Sequence, residues 1–259
     1  MPADLDPRRG TGGDPAPSDP GGDPAPSDLD RAGLVADRYR QVVDRVARAA
    51  RANGRDPAEV RVLVATKTQD LDAVRAAVTA GAGLVGENRV QELVAKAPGL
   101  PGVPVHLIGP LQRNKINQVL AHADCVQTVD SDRLAQALSE RCVRDGITLD
   151  VMVQSNVSGE PTKSGAAPDD VAGFATRVAA LPGLHLTGFM TIGARSPDEG
   201  VVRAGFARLR GLRDEVVASG APGTADAHEL SMGMSGDLEA AVAEGATIVR
   251  VGTAVFGPR

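Results

Sequence analysis

The sequence predicts an α/β fold, a single closed (β/α)8 barrel of the TIM type, on three observations. Short apolar runs alternate with amphipathic ones from residue 30 to residue 259, and the apolar runs number eight. Several of them, such as Val62-Leu63-Val64-Ala65, are apolar without alternation, the pattern of strands buried on both faces of a parallel sheet. Glycines and polar residues gather just beyond the runs, where barrel strands open onto a functional face. Strands alternating with helices imply a parallel sheet, and eight of them in a chain of this length imply closure. An open doubly wound sheet is the alternative, but no GxGxxG directly follows the first strand.

In chain order, residues 1–29 read as a tail rich in Gly, Pro and Asp, with GGDPAPSD at 12–19 and again at 21–28. So little apolar surface cannot offset the entropy of ordering, so disorder is expected. The duplication fits either a tolerated low-complexity repeat or a binding motif. The barrel domain is expected over 30–259, opened by an extra helix. Val35, Tyr39, Val42, Val46 and Ala49 form one stripe of that helix, and Asn53-Gly54 ends it. The first strand reads Arg61 to Lys67. Further strands are expected near 83–86, 105–108, 125–128, 149–154, 184–190, 228–232 and 247–252. Helical patterns fall between them at about 70–80, 88–96, 111–122, 131–144, 168–180, 197–218 and 236–244. The strand at 228–232 has the weakest pattern, being short and bearing His228 and Glu229.

Composition narrows the function classes. Hydrophobic content of 42% supports a sizeable core, but aromatics at 2% leave Val, Leu, Ile and Ala to fill it. A formal charge of −5 and the absence of Trp argue against nucleic acid as a partner. Cys125 and Cys142 match no zinc or redox spacing and read as buried thiols rather than a disulfide. No secretory signal follows Met1, and no apolar run approaches the roughly 20 residues of a membrane span. A soluble, cytoplasmic protein with no metal site is expected.

The strand ends hold the candidate chemistry. Of 28 basic residues, four are lysines (Lys67, Lys96, Lys115 and Lys163), and Lys67 closes the first strand. A buried ammonium is costly, so a lysine there either snorkels to water or serves as the attachment point for an aldehyde cofactor. The seventh strand runs into Met232-Gly233-Met234-Ser235-Gly236-Asp237 and the eighth into Gly252-Thr253. Barrel phosphate sites are commonly built from these two loops, although Ser235 could equally cap its helix. Arg250 lies on the same side of its strand as Gly252, facing the barrel mouth. Its acceptor would be either the ring nitrogen of a pyridine or a carboxylate such as Glu229 or Asp237.

The stretches VATK, GENRVQE, HLIGPLQRNK, NVSGEPTKSG, GFMTIG, LSMGMSGDLEAAVAEGAT and VRVGTAVFG, in this order, resemble the YggS/PROSC family of pyridoxal phosphate homeostasis proteins. The resemblance covers about residues 31–259 and leaves the tail outside. It implies a barrel similar to the N-terminal domain of alanine racemase, with pyridoxal 5′-phosphate (PLP) as a Schiff base on Lys67. It also implies that Ser235, Gly252 and Thr253 hold the phosphate, with the Met234 backbone close by. Arg250 would face the ring nitrogen, and Asn88, His106, Asn156 and Met190 would line the mouth. Arg89 departs from the aromatic residue that often follows GEN.

Two functions compete, a PLP-binding homeostasis protein without substantial turnover and a racemase-like enzyme. A two-base racemase needs a tyrosine base from a second domain, whereas the single tyrosine here is Tyr39 on the first helix and the chain ends at Arg259. An arginine at the ring nitrogen holds it unprotonated and weakens the electron sink. The first function is therefore expected, with His106 a packed or hydrogen-bonded residue rather than a base. PLP and apo PLP-dependent enzymes are the expected partners of a monomeric chain.

Overall fold

A computed structural model of the chain describes residues 28–160 and 162–258. Its eight parallel strands are β1 (Arg61–Ala65), β2 (Val85–Glu87), β3 (Val105–Leu107), β4 (Cys125–Val129), β5 (Leu149–Gln154), β6 (Leu184–Met190), β7 (Glu229–Ser231) and β8 (Ile248–Val251). They pair in sequence order and close into a barrel, with β1 against β8 in the register Arg61↔Ile248 to Val64↔Val251. The expected (β/α)8 barrel is the observed one. The repeated segment at 12–19 and 21–28 falls almost wholly outside the described residues.

Alternation along each strand divides the apolar residues into two cores. Leu63, Leu84, Ile108, Cys125, Met152, Met190 and Ile248 point inward and fill the barrel. The second core lies between the barrel wall and the helices, and it is built largely from Val, Leu and Ala, with Phe174, Phe189 and Phe206 supplying bulk. Each large side chain removed from water stabilises the fold by roughly 1.5–3 kcal/mol. Both cysteines are buried free thiols.

The helices are α1 (Asp28–Ala52), α2 (Leu71–Thr79), α3 (Val90–Lys96), α4 (Ile116–Leu120), α5 (Asp132–Asp145), α6 (Pro168–Ala179), α7 (Glu199–Ala218), α8 (Leu238–Ala243) and α9 (Thr253–Phe256). The stripe Val35, Tyr39, Val42, Val46 and Ala49 of α1 is buried, and α1 packs on α2, α8 and α9. It begins at Asp28, inside the segment expected as tail. Asp70 starts α2 by accepting from the Ala73 amide at 2.8 Å, and Gly146 ends α5 in the left-handed conformation at φ 67. Two helical expectations need correction. The segment 111–122 contains a 3-10 turn at Arg113–Lys115 and only five α-helical residues, because Lys115 (φ −107, ψ 1) interrupts the helical path. A short α9 follows β8, where no helix was expected.

Candidate functional site

The C-terminal ends of the strands open onto a cleft of about 620 Å³, within the usual range for small-molecule sites. Eight of the ten residues singled out from the sequence line it: Lys67, Asn88, Met190, Met234, Ser235, Arg250, Gly252 and Thr253. Ile108, Ile192 and Phe256 complete an apolar wall.

Lys67 departs from its expected setting. β1 ends at Ala65, so Lys67 stands two residues beyond the strand, and it is exposed rather than buried. The next residue, Thr68, is the one non-glycine with positive φ among the described residues, at φ 65. Its amide donates to Glu92 Oε2 at 2.6 Å. The backbone therefore turns sharply at Lys67, toward the cleft that the residue lines.

The loops after β7 and β8 meet as expected. Ser235 Oγ accepts from both Thr253 Oγ1 and the Ala254 amide at 3.3 Å, which joins the two loops. Gly233 (φ 88) is needed for this approach, since a Cβ there would lie 2.4 Å from Ala241 Cβ. The Met234 amide is already engaged, because it donates to Asp237 Oδ1 at 2.5 Å. Ser235 does not cap α8, which has no side-chain cap.

Arg250 is 6% exposed, and its hydrogen bonds go to neither Glu229 nor Asp237, although the Asp237 charge still acts on it. Its terminal nitrogens donate to Ser231 O at 2.6 Å, Ser231 Oγ at 2.9 Å and Thr191 O at 2.7 Å. Glu229 instead pairs with Arg61 at 2.7 Å. Burial pulls the Arg250 pKa down to about 10, so the guanidinium stays charged at neutrality.

His106 and Asn156 are not part of the cleft lining. His106 is buried within the barrel, its Nδ1 2.8 Å from Gln127 Nε2. Burial, reinforced by the Arg61 charge, lowers its pKa to about 4, so the ring is neutral. Asn156 braces its own loop, donating from Nδ2 to Glu160 O at 2.8 Å and Lys163 O at 3.2 Å. Arg89 is exposed beside Glu92, 3.9 Å away, and is not among the lining residues either.

Sequence reasoning missed Gln127, whose Oε1 accepts from Ser231 Oγ at 2.6 Å and so links His106 to Arg250. Its signal was present: one amide in the buried run Cys125-Val126-Gln127-Thr128-Val129 needs partners. The cleft thus joins one open amine, one buried guanidinium, two hydroxyls and an apolar wall. Among the described residues no Asp, Glu, His, Cys or Tyr lines it, and Asp130, Glu160 and Lys163 line the adjoining hollow that shares Asn88, Ile108 and Ile192. Among the described residues no cluster of three His, Cys, Asp or Glu could hold a metal, and no helix is long and apolar enough to cross a membrane.

The family of the alanine racemase N-terminal domain matches residues 36–259. The pyridoxal phosphate homeostasis protein of Pseudomonas aeruginosa is 43% identical over 227 residues, covering 87% of this chain and 96% of that protein. An unknown protein from Bifidobacterium adolescentis superposes with a TM-score of 0.86 at 47% identity, over 87% of this chain and 96% of that one. PipY of Synechococcus elongatus, solved with PLP bound, gives a TM-score of 0.74 at 32% identity over 86% of this chain and 100% of its own. On this fold, these matches and the shared barrel, the chain belongs to the pyridoxal phosphate homeostasis protein family.

Proposed function

We propose that this chain binds PLP in the cleft through Lys67 and acts in the cytoplasm as a carrier or store of the cofactor, without substantial turnover. The observation that carries this reading is the lining of the cleft. Among the described residues Lys67 is its one amine, and its lining holds no carboxylate, imidazole, thiol or phenol, with Asp130 and Glu160 in the adjoining hollow. The residues fit the group: hydroxyls bridging two glycine-containing loops suit a phosphate, and the wall of Ile108, Ile192 and Phe256 suits a ring.

When bound, PLP supplies an aldehyde that can join a lysine and a ring that draws electrons from whatever is attached there. Ser235 and Thr253 would donate to the phosphate oxygens, and Gly252 would let the backbone approach them. Arg250 Nε, which makes none of the three bonds described above, would donate toward the ring nitrogen. A permanent cation there would keep that nitrogen unprotonated and limit electron withdrawal. Asn88 and Met190 line the cleft beside these groups. A racemase-like enzyme is the competing reading, and among the described residues the cleft lining offers it no second base. Tyr39 lies on α1 and donates to Gly81 O at 3.1 Å. The buried free thiols support a reducing compartment. A monomer handing PLP to apo-enzymes completes the proposal.

Borohydride reduction followed by peptide mapping tests the attachment point. The pyridoxyl mass should fall on the peptide carrying Lys67 and vanish in Lys67→Ala. Labelling of Lys96, Lys115 or Lys163 would overturn the assignment.

A further inference from the structure

The buried lysine of this protein is not the one in the cleft. Lys96, at the end of α3, is 8% exposed. Its Nζ donates to Thr66 O at 2.7 Å, Glu87 Oε1 at 2.8 Å and Glu92 Oε2 at 3.0 Å. Glu87, the last residue of β2, is 1% exposed. Two carboxylates and an ammonium held largely out of water are costly, and well-packed apolar residues usually serve stability as well or better. Nor is the cluster fully satisfied, since Glu87 Oε2 is buried with no hydrogen-bond partner.

What the cluster does hold is the chain on both sides of Lys67. The preceding residue, Thr66, is gripped at two points: its carbonyl accepts from Lys96, and its Oγ1 donates to Glu87 Oε1 at 2.5 Å. The following residue, Thr68, is gripped at its amide by Glu92 Oε2 in a left-handed conformation that a β-branched residue rarely adopts. Lys96 joins the two carboxylates, so both flanks of Lys67 depend on one ion cluster.

We propose that Glu87, Glu92 and Lys96 are positioning residues that set the backbone at Lys67 so that its Nζ meets the cofactor aldehyde in a reactive orientation. The inference rests on the reading that Lys67 carries PLP. None of the three lines the cleft, so they act through Thr66 and Thr68 alone. The linkage they favour forms a carbon–nitrogen double bond from the unprotonated amine and the aldehyde, releasing one water. Its rate depends on the angle of approach, whereas docking of the ring and phosphate does not.

That difference supplies the test. Pyridoxine 5′-phosphate has the same ring and phosphate but a hydroxymethyl group in place of the aldehyde, so it cannot join lysine. Full-length protein freed of cofactor is titrated with each compound, and linkage is followed by stopped-flow absorbance. Lys96→Met and Glu92→Ala should slow linkage and weaken PLP by about 10–100-fold, the scale of a misplacement near 1 Å, with pyridoxine 5′-phosphate unchanged within about twofold. Glu92→Gln, which keeps an oxygen for the Thr68 amide, should recover most of the loss. Should the Lys96 variant fail to fold, Thr68→Gly adopts φ 65 without strain, frees the same backbone and should slow linkage. Equal weakening of both ligands, or unchanged linkage in Thr68→Gly and Glu92→Ala, would overturn the proposal. Failure of the underlying reading looks different: wild type and Lys67→Ala would then show the same preference between the two compounds.

Discussion

Protonation at His106 is fixed by hydrogen bonds that run in one direction. Arg250 donates to Ser231 Oγ at 2.9 Å, Ser231 donates to Gln127 Oε1 at 2.6 Å, and the Gln127 amide therefore faces His106 Nδ1 at 2.8 Å as a donor. His106 Nδ1 must accept, which places the proton on Nε2. With a folded pKa of about 4 against an ordinary 6.5, the unfolded chain binds the extra proton first as pH falls. Stability from this group is thus full above about pH 6.5 and is lost on the way down to about pH 4. We predict that His106→Gln removes about 2 kcal/mol of the loss in unfolding free energy between pH 7 and pH 5. Urea denaturation at both pH values checks this, and equal losses in wild type and variant would refute it. The residue scale is also where the sequence was only partly legible. Ser235, Arg250 and Thr253 were found because strand ends and glycine loops mark their position. His106 and Asn156 were assigned to the mouth because a motif names a residue without giving its direction. His106 turns into the barrel, and Asn156 turns back on its own loop, a local competition open to any Asn. Lys96 carries no such mark, since a Glu and a Lys four apart on a helix have the spacing of any surface ion pair and nothing in it shows burial.

Among the elements, strands were the most legible, because burial on both faces leaves long apolar runs that few other structures need. The short helices were less so: the five residues of α4 and four of α9 span too little of a helical turn pattern to show periodicity. Close contact between strands sets its own sequence demand. At β6, Gly188 pairs with Glu229 of β7, and a Cβ at that position would lie 2.1 Å from Glu229 O. Nothing flexible can yield there, because the obstacle is backbone. We predict that Gly188→Ala separates β6 from β7 and costs about 1–3 kcal/mol, the range for overpacked interiors. The shift should appear in the urea midpoint, and retention of wild-type stability would show that the two strands can part freely. Because β7 ends at Ser231, which holds Arg250, the same substitution should also weaken PLP retention.

Over the whole molecule, polar groups are divided by position rather than by number. The barrel interior carries a directed hydrogen-bond chain ending at Arg250, the wall behind Lys67 carries a buried ion cluster, and the cleft lining carries, among the described residues, one amine and no carboxylate or imidazole. A racemase, transaminase or decarboxylase needs a proton donor or acceptor positioned over the substrate's α-carbon and a strong electron sink below it. On the proposed reading Lys67 is the one candidate base in the cleft lining among the described residues, and Arg250 would limit the sink. Amino acids should therefore bind at the cofactor yet exchange their α-protons slowly. Typical enzymes turn over at about 1–1,000 per second, and we predict rates far below that range for racemisation, transamination and decarboxylation. Exchange of the α-proton in deuterated water, followed by NMR across a panel of amino acids, measures the step that racemisation and transamination share, and appearance of the amine in the same spectra measures decarboxylation. Turnover above about one per second with any amino acid would restore the enzyme reading. Slow exchange, together with transfer of PLP to an apo-enzyme faster than spontaneous release allows, would place the chemistry of this family member in delivery.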